Sequence, residues 1–131
     1  MHADQHSDLR KPDVWLSGPL ENLALDEVFE YTQRELNVGN FIAPALRLGL
    51  FSDCRILSSE ESLRQDIQES FVLDLDLDLF AESMMYLPRE WTLGRVRGLL
   101  HRSAVVTIAT SPYFIDQSQA LQILSDLISG N

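Results

Sequence analysis

Alternating helix and strand patterns predict an α/β protein with a mainly parallel sheet flanked by helices. Three observations carry the prediction. Phe71 to Phe80 (FVLDLDLDLF) switches strictly between apolar and acidic side chains, which is the period of a strand. Ala104 to Ala109 is rich in β-branched residues and reads as a buried strand. Around both lie stretches whose apolar residues recur every three or four positions, as on a helix. Strands separated by helices pair in parallel, and such sheets hold their ligands at the carboxyl ends of the strands.

In chain order, residues 1–24 are polar and irregular, with Pro12, Gly18 and Pro19 as breakers. Leu25, Val28, Phe29, Thr32 and Leu36 then fall on one helical face, with Asp26, Glu27, Glu30, Arg34 and Glu35 on the other. Asn37-Val38-Gly39-Asn40 interrupts, and Phe41 to Leu50 reads as a second helix, with Pro44 in its first turn and Gly49 near its end. Cys54 to Leu57 is a short strand candidate, and Ser58-Ser59-Glu60-Glu61 is the capped start of a helix running to about Glu69. After the acidic strand, Ala81 to Glu90 turns at Pro88, and Thr92 to Arg102 is helical. The strand from Ala104 to Ala109 leads into a loop, Thr110 to Gln117, and a closing helix, Ser118 to Ile128, with Ser118 as its N-cap. No repeat or linker divides the chain, so residues 1–131 read as a single domain.

Composition narrows the function. Hydrophobic residues make up 45% and charged residues 23%, enough apolar side chains for a core. Ten Lys and Arg against twenty Asp and Glu give a formal charge of −10, which argues against a phosphate-backbone binder. One cysteine, Cys54, excludes an intrachain disulfide or a multi-cysteine zinc site. No run approaches the ~18–20 apolar residues of a membrane span, and no signal peptide opens the chain. The expectation is a soluble cytoplasmic protein with no nucleic-acid or membrane partner. Neither a glycine-rich phosphate loop nor a G-x-S-x-G elbow is present, so nucleotide binding and serine hydrolysis lack support.

Two acidic segments point to a metal. On a strand, Asp74, Asp76 and Asp78 project from one face, ~6.5–7 Å apart, while Leu73, Leu75, Leu77 and Leu79 face the core. The plain alternative is a solvated amphipathic strand. Asp is a poor strand former, however, and a row of like charges is costly unless a cation neutralises it. Hard divalent cations prefer carboxylate oxygens. Asp4-Gln5-His6-Ser7-Asp8 places a carboxylate, an imidazole and a carboxylate at alternating positions, and His2 continues the alternation.

In these motifs the chain resembles the arginase and agmatinase (ureohydrolase) superfamily. Asp4-x-His6-x-Asp8 is similar to its first metal motif and Asp74-Leu75-Asp76-Leu77-Asp78 to its second. Closer still is the arginase-like family that includes the peptide arginases of ribosomal-peptide biosynthesis. The shared features are His2-x-Asp4-x-His6-x-Asp8-Leu9, Asn37-Val38-Gly39-Asn40-Phe41-Ile42 and the Leu-Asp-Leu-Asp-Leu-Asp strand ending at Phe80. The resemblance implies a manganese-dependent hydrolase with two bridged Mn²⁺ ions. Asp4, His6 and Asp8 would be ligands, Asp76 and Asp78 would close the cluster, and Asp74 would be a further ligand or a neighbour of one. A metal-bridging hydroxide would attack the guanidinium carbon of an arginine in a peptide, releasing urea and leaving ornithine. The substrate would be an arginine-containing peptide or a small guanidino compound.

The departures from the family define the alternatives. The upstream metal-ligating His of ureohydrolases has no counterpart here, and His2 is not assigned that role. The strand leading into Asp4 is nearly absent, so the chain reads as N-terminally short, with a sheet edge that invites homo-oligomers. Ala109-Thr110-Ser111-Pro112 stands where true arginases carry a substrate-binding Glu. One alternative is a degenerate, non-catalytic metal-binding or partner-binding domain. Another is a hydrolase of a different guanidino or C–N substrate. Substrate-contacting candidates are Asp116 and Tyr113 after the last strand and Trp15 after the first motif. Met84, Met85, Tyr86 and Trp91 are either packing or a pocket wall, His101 suits an exposed helix end, and Cys54 suits an apolar environment.

Overall fold

The leucines of the acidic stretch decide where the core lies. In the computed structural model, which describes residues 1–129, Val72–Asp76 forms strand β2. Strand β1 (His2–Ala3) pairs with it in parallel on one side, with His2 opposite Asp74 and Ala3 opposite Leu75. Strand β3 (Val105–Ala109) pairs in parallel on the other, from Val72 opposite Val105 to Asp76 opposite Ala109. The result is a small α/β protein with a three-stranded parallel sheet in the order β1-β2-β3, flanked by helices.

The chain divides into two compact units, Met1–Gln5 with Arg55–Asn131, and His6–Cys54. The first holds the sheet. Leu73 and Leu75 on the core face of β2 are 0% exposed, and Leu77 and Leu79 extend the buried row. Helix α4 (Arg89–Arg102) contributes Leu93, Val96 and Leu99, and helix α5 (Gln117–Ser129) contributes Ala120, Ile123 and Leu127. Both sets recur at three- and four-residue spacing, the stripe that an amphipathic helix buries.

Several expected boundaries move. The acidic strand stops at Asp76, and Leu77–Phe80 turns into a 3₁₀ helix. The Asp76 side chain accepts the backbone N–H of Asp78 at 3.2 Å, offering the chain a turn in place of the next ladder bond. Asp78 therefore leaves the strand face it was expected to share with Asp74 and Asp76. Cys54 to Leu57 is not a strand: two-residue β1 offers Ile56 only one isolated bridge, through His2. Ala104 to Ala109 is a strand from Val105, but not a buried one. All five residues of β3 are exposed, because no strand lies on its far side among the described residues. Its β-branched content reflects strand preference, not burial.

Helix ends also differ. Ser59 caps helix α3 (Glu60–Arg64) through a reciprocal box with Ser62, as the sequence suggests, yet the helix ends well before Glu69. Gln65 is extended there, and Arg95 donates to the carbonyls of Leu63 and Gln65, satisfying acceptors that a longer helix would have used. Helix α4 begins at Arg89, earlier than Thr92, with Pro88 as its N-cap. Helix α5 is capped by Asp116, whose Oδ1 accepts the Gln119 N–H at 3.0 Å, in place of Ser118.

The second unit carries helices α1 (Leu25–Arg34) and α2 (Ile42–Arg47). Both are shorter than their periodicity predicts, and Leu36 falls beyond α1. Leu25 and Phe29 are exposed, while Tyr31 is buried and donates to the Val14 carbonyl at 3.0 Å. Asn37 to Asn40 forms a self-closed turn: Asn37 N–H donates to the Asn40 side chain at 2.7 Å, and Gly39 N–H to the Asn37 side chain at 3.0 Å. Pro44 sits in the first turn of α2, and Gly49, at φ 75°, reverses the chain just past its end. Among the described residues, no helix is long and apolar enough to cross a membrane.

Candidate metal centre

Parallel pairing brings four aspartates together toward the carboxyl end of the sheet. With His2 opposite Asp74, residue Asp4 leaves β1 beside Asp76, and the turn after β2 carries Asp78 into the same neighbourhood. Asp4 is 1% exposed and Asp78 0%. One oxygen of each lies within 4.8 Å of the other. Gln5 N–H donates to Asp78 Oδ1 at 3.2 Å, tying the chain after β1 to the turn after β2.

His2 sits between two carboxylates. Its Nδ1 lies 2.9 Å from Asp74 Oδ2, and its Nε2 lies 3.1 Å from Asp4 Oδ2. The hydroxyl of Thr107 donates to Asp74, and that of Ser111 to Asp76, so β3 and the loop after it hold both strand carboxylates from the other side. Ser111 adopts φ 44°, an uncommon backbone state for a non-glycine residue and one that recurs at functional sites.

Burial sets the protonation states. It raises Asp78 to about 7, reinforced by the negative charges of Asp4 and Asp76. Asp76 is raised too, chiefly by burial. Asp74 is lowered, because hydrogen bonds from His2 and Thr107 outweigh its burial. Burial would lower His2, but the Asp4 and Asp74 carboxylates at its two ring nitrogens outweigh that and raise it to about 9.

These shifts fix a sign for the metal-free protein. A raised folded-state pKa gives stability that is complete below the unfolded value and lost as pH rises through the folded one. For Asp78 that window runs from about 4 to about 7, and for His2 from about 6.5 to about 9. Both losses go the same way, so the melting temperature of chelator-treated protein is expected to fall steadily from pH 5 to pH 9. A flat or rising profile in thermal melts over that range would contradict these environments.

Of the expected site residues, Asp4, Asp74, Asp76 and Asp78 come together in the first unit. His6 and Asp8 belong to the second unit, where both are half-buried and Asp8 adopts φ 49°. Trp15 is in the second unit as well, half-buried, with the Arg47 guanidinium 4.5 Å over its ring. Tyr113 is 94% exposed, and Asp116 is held as the cap of α5, its carboxyl below the usual range through hydrogen bonds from Ser118 and Gln119. Met84 and Met85 line a cavity of about 360 Å³ directly after the acidic turn, together with Leu79, Leu87, Arg89 and Gln119, whereas Tyr86 is outside its lining and donates to the Ser58 carbonyl at 2.8 Å. Trp91 lies outside that lining, under the Arg64 guanidinium at 4.8 Å. His101 is exposed in the last turn of α4, and Cys54 is half-buried.

Thr107, Ser111, Gln5 and the bridging role of His2 are not singled out by sequence. For His2 the alternation His2, Asp4, His6, Asp8 was the signal, and for Thr107 and Ser111 it was only their position on and after the last strand. The fold and cluster together define a small α/β protein with a buried carboxylate–imidazole group at the carboxyl end of a parallel sheet. No family model matches the chain, and no curated protein or solved structure does.

Proposed function

We propose that this protein is a manganese-dependent, arginase-like hydrolase that converts the guanidinium of a peptide arginine to ornithine and urea in the cytoplasm. The observation that carries the reading is the fully buried Asp78 carboxyl, raised to about 7, with an Asp4 oxygen within 4.8 Å. Two buried carboxylates so close are unfavourable by themselves, and a hard divalent cation neutralises both. The donor set fits Mn²⁺, which accepts carboxylate oxygens and imidazole nitrogens. Asp4, Asp76 and Asp78 would hold the metal. Bound manganese supplies an activated water at neutral pH.

The protein's own residues prepare that site. His2 fixes Asp4 by one ring nitrogen and Asp74 by the other. Ser111 and Thr107 orient Asp76 and Asp74. Gln5 N–H fixes one oxygen of Asp78. The excess of carboxylates over cations in the cluster favours a cationic guanidinium over a neutral substrate.

A non-catalytic metal- or partner-binding domain is the second reading, and His2 favours it: an imidazolium between Asp4 and Asp74 already offsets part of the acidic charge. Urea release separates the two. Mn²⁺-loaded protein is expected to release urea from arginine-containing peptides, in a panel that also holds free arginine, agmatine and other guanidino compounds. Activity only on a small guanidine would move the substrate to that class. Bound metal without urea from any compound would support the second reading.

A further inference from the structure

We infer that the outer edge of β3 is a self-association surface, on which β3 of a second copy pairs antiparallel and joins two three-stranded sheets into one. Among the described residues strand β3 is the last in the sheet, and all five of its residues, Val105–Ala109, are exposed. An edge strand presents a row of main-chain donors and acceptors that can template another strand. Proteins that stay monomeric blunt such an edge with lysine, proline or inward charges. Strand β3 has none of these.

Charge selects the occupant. From Ser103 to Ile115 the chain carries no charged residue, its longest such run, while the whole chain stands at −10. Two copies repel through most of their surfaces, and this edge is where they meet at the least electrostatic cost. A basic or acidic partner would find no complementary charge on it. A second copy is self-complementary by symmetry, because a two-fold axis sets each donor of one edge against an acceptor of its twin. Strand pairing alone buries less than the roughly 800 Å² per partner of a stable interface. The loop directly after β3 supplies more apolar area through Tyr113 and Phe114, which are 94% and 54% exposed.

Sedimentation velocity of the full chain between about 5 and 200 µM tests the inference. The parent is expected to approach a dimer as concentration rises. Val105→Lys combined with Ile108→Lys is expected to weaken association at least tenfold while far-UV circular dichroism stays native. Hydrogen exchange on the parent gives a reading that needs no variant: the amides of residues 105–109 should exchange more slowly at the high concentration than at the low one. A parent that stays monomeric across the range would overturn the inference. So would a folded double variant that still dimerises, or a dimer whose edge amides exchange equally at both concentrations.

Discussion

Asp78→Asn is expected to stabilise the metal-free protein at pH 8 and at the same time abolish its stabilisation by Mn²⁺. The side chain is 0% exposed and its acidity is raised to about 7 by burial and by Asp4 and Asp76, so at pH 8 its charge opposes folding. Asparagine keeps an oxygen for the Gln5 N–H and adds donors that can face Asp4. Removing the buried charge is expected to gain about 1–4 kcal/mol, or roughly 3–15 °C in melting temperature. Parent protein at a Mn²⁺ concentration about 100 times its Kd gains ~2.7 kcal/mol that the variant does not. Thermal melts of both proteins, with chelator and with Mn²⁺, check both halves. A variant that is less stable without metal would mean that Asp78 serves the fold and not a cation.

Leu75→Ala has the largest expected cost to the fold. Leu75 is 0% exposed on the middle strand, with Ala3 and Ile108 as its register partners on either side. A cavity there is expected to cost about 3–5 kcal/mol, because neighbours held in a parallel ladder relax only partly. Against a total stability of ~5–15 kcal/mol, that leaves a marginal protein. Urea titration should show a much lower midpoint, with the metal-linked gain still present in whatever remains folded. A change below ~1 kcal/mol would indicate that β2 is not the centre of the core.

What the sequence makes legible follows from periodicity. The alternation of Leu73 and Leu75 with Asp74 and Asp76 shows which side chains of β2 reach the core, because one face of a strand must be apolar when helices cover it. The same alternation misplaces Asp78: a two-residue period cannot show that the Asp76 side chain will capture the next backbone N–H and end the strand. Val105, Val106 and Ile108 read as buried because β-branched residues suit buried strands, but strand order decides exposure, and order is not a local property. Leu25 and Phe29 have helical spacing and form a helix, yet spacing alone does not bury them. In the candidate site, residue types with metal chemistry stand out by pattern, whereas His2, Thr107 and Ser111 act through register across β1, β2 and β3. Parallel pairing of distant segments creates those contacts, and nothing near them in the chain announces it.

On the proposed function, the carboxylates at the end of the sheet bind divalent metal. Metal content per chain after Mn²⁺ loading and dialysis tests it most directly, measured on the parent and on Asp76→Ala with Asp78→Ala. Close to two ions per chain in the parent, lost in the double variant, is the predicted result. No bound metal in the parent, or the same amount in the double variant, would contradict it.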